Sequence, residues 1–142
     1  MAINTCSGAL DIRDARQEQR GVVLVADDDD NVRDLVCRYL EDAGYETLSA
    51  AGGEDALRIL QASVRRICLL VCDVRMPGVQ GPQLAELVAS KQPDIAVLFI
   101  TGSEPPVIPE QHRERWDYLL KPLKQAALAR KVRAMLVQRG AS

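Results

Sequence analysis

No stretch of this 142-residue chain comes near the roughly 20 apolar residues that a membrane span needs. The N-terminus lacks the apolar core of a signal peptide, so export is not expected and a cytoplasmic location is. The four cysteines, Cys6, Cys37, Cys68 and Cys72, show no CxxC spacing, which argues against a zinc site or a disulfide framework. Cys68 and Cys72 fall inside an apolar run and behave as small apolar residues. Basic and acidic side chains nearly cancel, 18 against 20, and no Lys/Arg run marks a nucleic-acid-binding face. Histidine occurs once, at His112, in a charged stretch where a solvated side chain is expected rather than a phosphate carrier. With 47% hydrophobic and 27% charged residues, the remaining class is an ordinary globular domain, and the length suffices for one core.

What the chain does have is a set of apolar runs, each ending in a particular polar residue. Residues 22–26, Val-Val-Leu-Val-Ala, run directly into Asp27, Asp28, Asp29 and Asp30. Five apolar residues in a row indicate a strand covered on both faces, as in a parallel sheet. Crowded carboxylates repel one another and need a cation or a helix N-terminus to compensate. One of them, Asp29 or Asp30, is expected to cap the following helix. Residues 67–72 form a second run, which ends at Asp73 and is followed by Val74-Arg75-Met76-Pro77-Gly78. Residues 95–100 end at Thr101-Gly102, and residues 118–120 end at Lys121-Pro122. In open α/β sheets, ligands bind outside the carboxyl ends of the strands. Four such ends delivering an acidic pair, an Asp, a Thr and a Lys define a candidate site.

Helices fill the intervals. Val32, Leu35, Val36, Tyr39 and Leu40 make one apolar face, with Gly44 as the stop. A short strand is expected at 45–49 and a helix at 53–61 with Ala56, Leu57 and Leu60 inward. Gly81-Pro82 opens a third helix, with Leu84, Leu87 and Val88 as its buried stripe. The last helix follows Pro122 and buries Leu128, Val132, Met135 and Leu136. Phe99 and Trp116 are expected in or at the edge of the core. Alternating strands and helices predict an α/β fold, a doubly wound five-stranded parallel sheet. Residues 1–20 are expected to be a flexible or weakly helical N-terminal tail, 21–139 the folded domain and 140–142 a C-terminal tail.

The ordered set Asp27-Asp28, Asp73 within Asp-Val-Arg-Met-Pro-Gly, Thr101-Gly102, and Tyr118 three residues before Lys121-Pro122 resembles the receiver domain of two-component response regulators. The resemblance covers about residues 21–138. It implies a flavodoxin-like sheet of strand order 2-1-3-4-5 and a phosphorylation switch. Asp73 would accept a phosphoryl group from a sensor histidine kinase or a histidine phosphotransfer protein. Mg²⁺ would be bound by Asp28, Asp73 and the main-chain carbonyl of Arg75, with Asp27 acting mainly through a metal-bound water. Lys121 would pair with the phosphoryl group, Thr101 would donate its hydroxyl to it, and Thr101 and Tyr118 would be the switch residues. Such a protein catalyses its own phosphoryl transfer and dephosphorylation without being an enzyme of the usual kind. The Lys121–Pro122 bond is expected to be cis.

Two features depart from the family pattern. Arg75 and Ser103, each two residues past a site residue, flank the expected path of the hydrolytic water. Pro105, Pro106 and Pro109 occupy the segment between Thr101 and Lys121, where the family has a fourth helix. Proline inside a helix removes a hydrogen bond and clashes with the preceding turn, so that helix should be short or missing. Output is then expected through contact with another protein, a downstream target, or by service as a phosphate carrier, rather than through a dimer across this face. The chain ends soon after the last helix, which suggests a stand-alone receiver; a fragment cut from a hybrid kinase or larger regulator is the other possibility. A haloacid dehalogenase-like phosphatase also uses a strand-end Asp, a Thr, a Lys and Mg²⁺. It needs a second Asp two residues after the nucleophile, where this chain has Arg75, and its nucleophile lies on the first strand. A non-phosphorylated binding module of the same fold is disfavoured by the full acidic, Thr and Lys set.

Overall fold

A computed structural model describes the backbone of residues 21–141 and the side chains through residue 137. The expected tail at 1–20 lies outside the described residues. Five parallel strands, β1 (Val22–Ala26), β2 (Glu46–Ala50), β3 (Ile67–Asp73), β4 (Ala96–Thr101) and β5 (Trp116–Leu120), form one sheet in the order β2-β1-β3-β4-β5. Four helices connect or follow them: α1 (Asp30–Asp42), α2 (Gly53–Ala62), α3 (Gly81–Lys91) and α4 (Gln125–Ala141). This is the flavodoxin-like order expected from the sequence. The last helix runs through Ala141, past the boundary drawn at residue 139.

The period-2 alternation of each strand divides the apolar residues between two faces. Leu24, Leu70, Cys72, Val97 and Phe99 pack on one side with Ala56, Leu84, Ala85 and Val88 from α2 and α3. Val23, Val25, Leu69, Val71, Leu98 and Ile100 pack on the other with Val36 and Leu40 of α1 and Leu128 and Val132 of α4. Burial on both faces explains why β1, β3 and β4 are continuous apolar runs rather than alternating ones. Asp29 is the N-cap of α1, and its carboxylate accepts from the N–H groups of Asn31 and Val32. Gly44, at φ +97°, follows the C-cap Ala43 in the left-handed conformation that glycine tolerates best. Leu87 departs from the expected stripe: it is exposed on α3, because Leu84 and Val88 already fill the contact with the sheet.

Between β4 and β5 the only helical element is a single 3₁₀ turn, Glu110–His112, preceded by Pro109 at φ −57° and ψ 146°, an extended proline geometry. The fourth helix of the family is therefore absent, as the prolines predict. His112 corrects its expectation. It is not a solvated side chain but is stacked on Trp116, with ring centroids 3.8 Å apart and planes 5° from parallel. Its Nε2 lies 3.0 Å from Glu86 Oε1 of α3. Trp116 in turn meets Phe99 edge-on at 5.6 Å. With no helix over this end of the sheet, the imidazole covers the indole and keeps Trp116 only 5% exposed. Replacing His112 by alanine should destabilise the fold by about 1 kcal/mol, the order of an aromatic pair. It should also shift the emission of the single tryptophan to the red. Unchanged emission and an unchanged unfolding midpoint would remove this role from His112.

Candidate functional site

The backbone ladder fixes where the polar strand ends lie. Asp27 N–H donates to Ala50 O at 3.1 Å, Val74 N–H to Ile100 O at 3.1 Å, and Lys121 N–H to Thr101 O at 2.8 Å. Each site residue thus sits at or next to the last rung between its strand and a neighbour. These ends converge at one sheet edge. Asp27, Asp28 and Asp73 each offer a carboxylate oxygen, and the three oxygens lie within 4.8 Å of one another. Lys121 Nζ donates to Asp73 Oδ2 at 3.0 Å, and the Arg75 N–H donates to Asp73 Oδ1 at 3.2 Å. The Lys121–Pro122 bond that precedes α4 is cis, as expected.

The three carboxylates differ in surroundings. Asp27 is buried, Asp28 exposed and Asp73 in between. Burial is the main cause that raises the Asp27 pKa above its ordinary value of 3.8, and the charges of Asp73 and Asp28 add to it. The hydrogen bond from the Asp29 N–H to Asp27 Oδ1, at 2.9 Å, and the charge of Lys121 act in the opposite direction. Along β3, burial pushes the Cys72 thiol well above its usual range and the Cys68 thiol up to about 11, so both act as apolar packing.

Thr101 and Tyr118 lie on the adjoining strands β4 and β5, where they were expected. The Thr101 hydroxyl is buried and engaged with its own loop. It donates to Glu104 O at 3.1 Å and accepts from the Ser103 N–H at 3.3 Å. Tyr118 is half-buried against the core face that carries Phe99 and Trp116. Arg75 is exposed and Ser103 is exposed, flanking the edge from the β3 and β4 sides.

One residue was assigned only a helix-start role by its sequence context. A Cβ on Gly81 would lie 2.3 Å from Asp73 O and 2.9 Å from Val74 Cα. The N-terminus of α3 therefore presses directly on the backbone that carries Asp73, and the Gly81 N–H donates back to Val74 O at 3.0 Å. Backbone cannot yield as a side-chain tip can. Gly81→Ala should cost roughly 1–3 kcal/mol of stability, as overpacking does. A variant with a parental unfolding midpoint would contradict the close approach. The Gly-Pro pair gives no sequence signal for this contact, because it depends on where α3 meets β3.

An all-parallel 2-1-3-4-5 sheet with three carboxylates and a lysine at its carboxyl edge is the arrangement of a receiver-type fold. The response regulator receiver domain family matches residues 23–133, and the chain belongs to that family. It is 32% identical over 116 residues to the sensor kinase CckA of Brucella abortus, covering 80% of this chain and 12% of the kinase. Among solved structures, the receiver domain of a hybrid histidine kinase CckA is 35% identical, covers 82% of this chain and 99% of that one, and superposes with a TM-score of 0.70. The chemotaxis protein CheY4 of Vibrio cholerae is 28% identical, covers 80% of this chain and 96% of that one, also with a TM-score of 0.70. The chain spans 12% to 50% of the length of the first three curated relatives.

The carboxylate cluster fits the divalent cation that receiver domains typically bind. Its donors are hard oxygens with no imidazole or thiolate among them, the set that suits Mg²⁺ rather than zinc or copper. A buried carboxylate repelled by two others gains most from a cation. No helix among the described residues is long and apolar enough to cross a membrane.

Proposed function

We propose that this receiver domain is a Mg²⁺-dependent phosphorylation switch in which Asp73 is the phosphoacceptor. The observation that carries the reading is the placement of Asp73: its carboxylate is 3.0 Å from Lys121 Nζ and within 4.8 Å of the Asp27 and Asp28 oxygens. An Asp73 oxygen attacks the phosphorus of a phosphohistidine; the P–N bond breaks, its electron pair stays with the imidazole, and an acyl phosphate forms. Asp27, Asp28, Asp73 and the Arg75 carbonyl would hold the Mg²⁺, which when bound offsets the negative charge that the transfer gathers at this edge. Lys121 is a mobile point charge that can follow the negative charge from the carboxylate to the phosphoryl oxygens. Thr101 supplies the hydroxyl donor. Turning it toward the phosphoryl group gives up its bond to the Glu104 carbonyl, so the loop that begins the proline-rich segment is released at the same time. Tyr118, on the neighbouring strand, carries that change to the surface around residues 103–114. Arg75 and Ser103 flank the route of the hydrolytic water and so influence the lifetime of the acyl phosphate.

The phosphodonor is a sensor histidine kinase or histidine phosphotransfer protein, and the output is contact with a downstream protein, in the cytoplasm, without direct binding to nucleic acid. Incubation with acetyl phosphate and Mg²⁺ tests the reading. A receiver carries the phosphoryl group on itself; continuous release of inorganic phosphate at many turnovers would favour a dehalogenase-type phosphatase instead, and neither outcome would leave a binding module.

A further inference from the structure

Four consecutive aspartates leave β1, and the structure gives them separate tasks. Asp27 and Asp28 join the carboxylate cluster, Asp29 caps α1, and Asp30 is held by Arg33. Arg33 does more than neutralise Asp30. Its Nη2 donates to Asp30 Oδ1 at 2.6 Å, while its Nη1 donates to the main-chain carbonyl of Asp27 at 2.8 Å. The Arg33 side chain is only 15% exposed, against 80% for Asp30. One planar guanidinium therefore ties the end of β1 to the first turn of α1 across the loop that carries Asp28.

We propose that Arg33 is a positioning residue for Asp28, resting on the reading of the cluster as a Mg²⁺ site. A peptide unit is planar, so the Asp27 carbonyl and the Asp28 N–H share one rigid plane. Arg33 pins that plane. The next plane, between Asp28 and Asp29, is pinned by the Asp29 N–H bond to Asp27 Oδ1. Both planes flanking Asp28 are thus fixed, and with them its two backbone dihedrals. An exposed carboxylate with no such restraint would have to lose backbone freedom on binding a cation, at roughly 1–2 kcal/mol per residue. Arginine suits this task and lysine does not, because the two acceptors need a fork of fixed spacing.

Charge alone predicts the opposite effect. A cation beside a carboxylate cluster weakens Mg²⁺ binding, and its removal should tighten it. The two effects separate in the double variant Arg33→Ala with Asp30→Asn, which removes the ion pair without changing the net charge. Mg²⁺ titration of metal-free protein by calorimetry is the measurement, with thermal unfolding of the metal-free protein alongside. Positioning predicts affinity about tenfold weaker in the double variant, the scale at which outer-shell partners act, with metal-free unfolding still cooperative. Parental affinity in the double variant would overturn the role. So would tighter binding by Arg33→Ala alone that returns to the parental value in the double variant, since that outcome is purely electrostatic. If the double variant does not fold, Arg33→Lys carries the test: it keeps the charge but not the fork, and parental affinity there would equally overturn the role. A parent protein that shows no saturable Mg²⁺ binding would reject the metal site itself, and this function of Arg33 with it.

Discussion

Asp73→Asn is expected to abolish labelling by acetyl phosphate, while the parent protein takes up a single phosphoryl group seen as one mass increment. The substitution is close to isosteric. Asparagine keeps an oxygen to accept the Arg75 N–H, so the loop after β3 stays in place and only the proposed nucleophile is lost. Asp27 and Asp28 lie beside Asp73 but are poor substitutes for it as acceptor. Asp27 is buried, which limits its approach to a donor, and Asp28 lacks the lysine partner that Asp73 has. Labelling of Asp73→Asn at the parental level would transfer the acceptor role elsewhere. Lys121→Ala should still be phosphorylated, more slowly, because the lysine is a point charge beside the transfer and not the atom that forms the bond.

The second large effect concerns the metal. Asp28→Ala should lose most Mg²⁺ affinity and, with it, Mg²⁺-dependent labelling. In the parent, Mg²⁺ should raise the unfolding temperature, since a ligand bound only by the folded state stabilises it by mass action, about 2.7 kcal/mol at one hundred times its dissociation constant. In Asp28→Ala that increment should vanish. Asp27 gives the complementary result in metal-free protein. Its folded pKa is raised above the unfolded value, chiefly by burial, so its ionised form opposes folding. That cost is absent below the unfolded pKa, develops as pH rises through the interval up to the folded pKa, and is complete above it. Asp27→Asn, which keeps the oxygen that accepts the Asp29 N–H, should therefore stabilise the metal-free protein at neutral pH. The gain should shrink as pH falls through that interval. Equal stability of parent and Asp27→Asn at neutral pH would show that the burial cost is already offset, and Mg²⁺ stabilising Asp28→Ala as much as the parent would move the metal site.

The sheet was legible because its apolar runs are long, continuous and separated by helices of clear 3.6-residue period. Asp73, Lys121, Thr101 and Asp27-Asp28 were legible because each follows such a run, where a parallel sheet gathers its strand ends. The missing helix before β5 was legible from Pro105, Pro106 and Pro109, since proline acts on the local backbone whatever surrounds it. The edges were less clear. The second strand lies at Glu46–Ala50, one residue later than its sequence pattern indicated, because β2 is an edge strand with only Ala50 fully buried. Leu87 counted as core by spacing and is exposed, because the width of an apolar stripe is set by the partner surface and not by the helix.

Local periodicity and proline and glycine chemistry set the element order, the parallel sheet and the residue types at its carboxyl edge. Packing settled what spacing left open. It made Asp29 rather than Asp30 the α1 cap and laid the Arg33 guanidinium on the Asp27 carbonyl. It turned the Thr101 hydroxyl toward Glu104. It set Gly81 against the Asp73 backbone and laid His112 over Trp116 in place of the absent helix. These contacts depend on distances between segments far apart in the chain, or on which of several equivalent acceptors a side chain meets once the elements have packed, and residue spacing along one segment encodes neither.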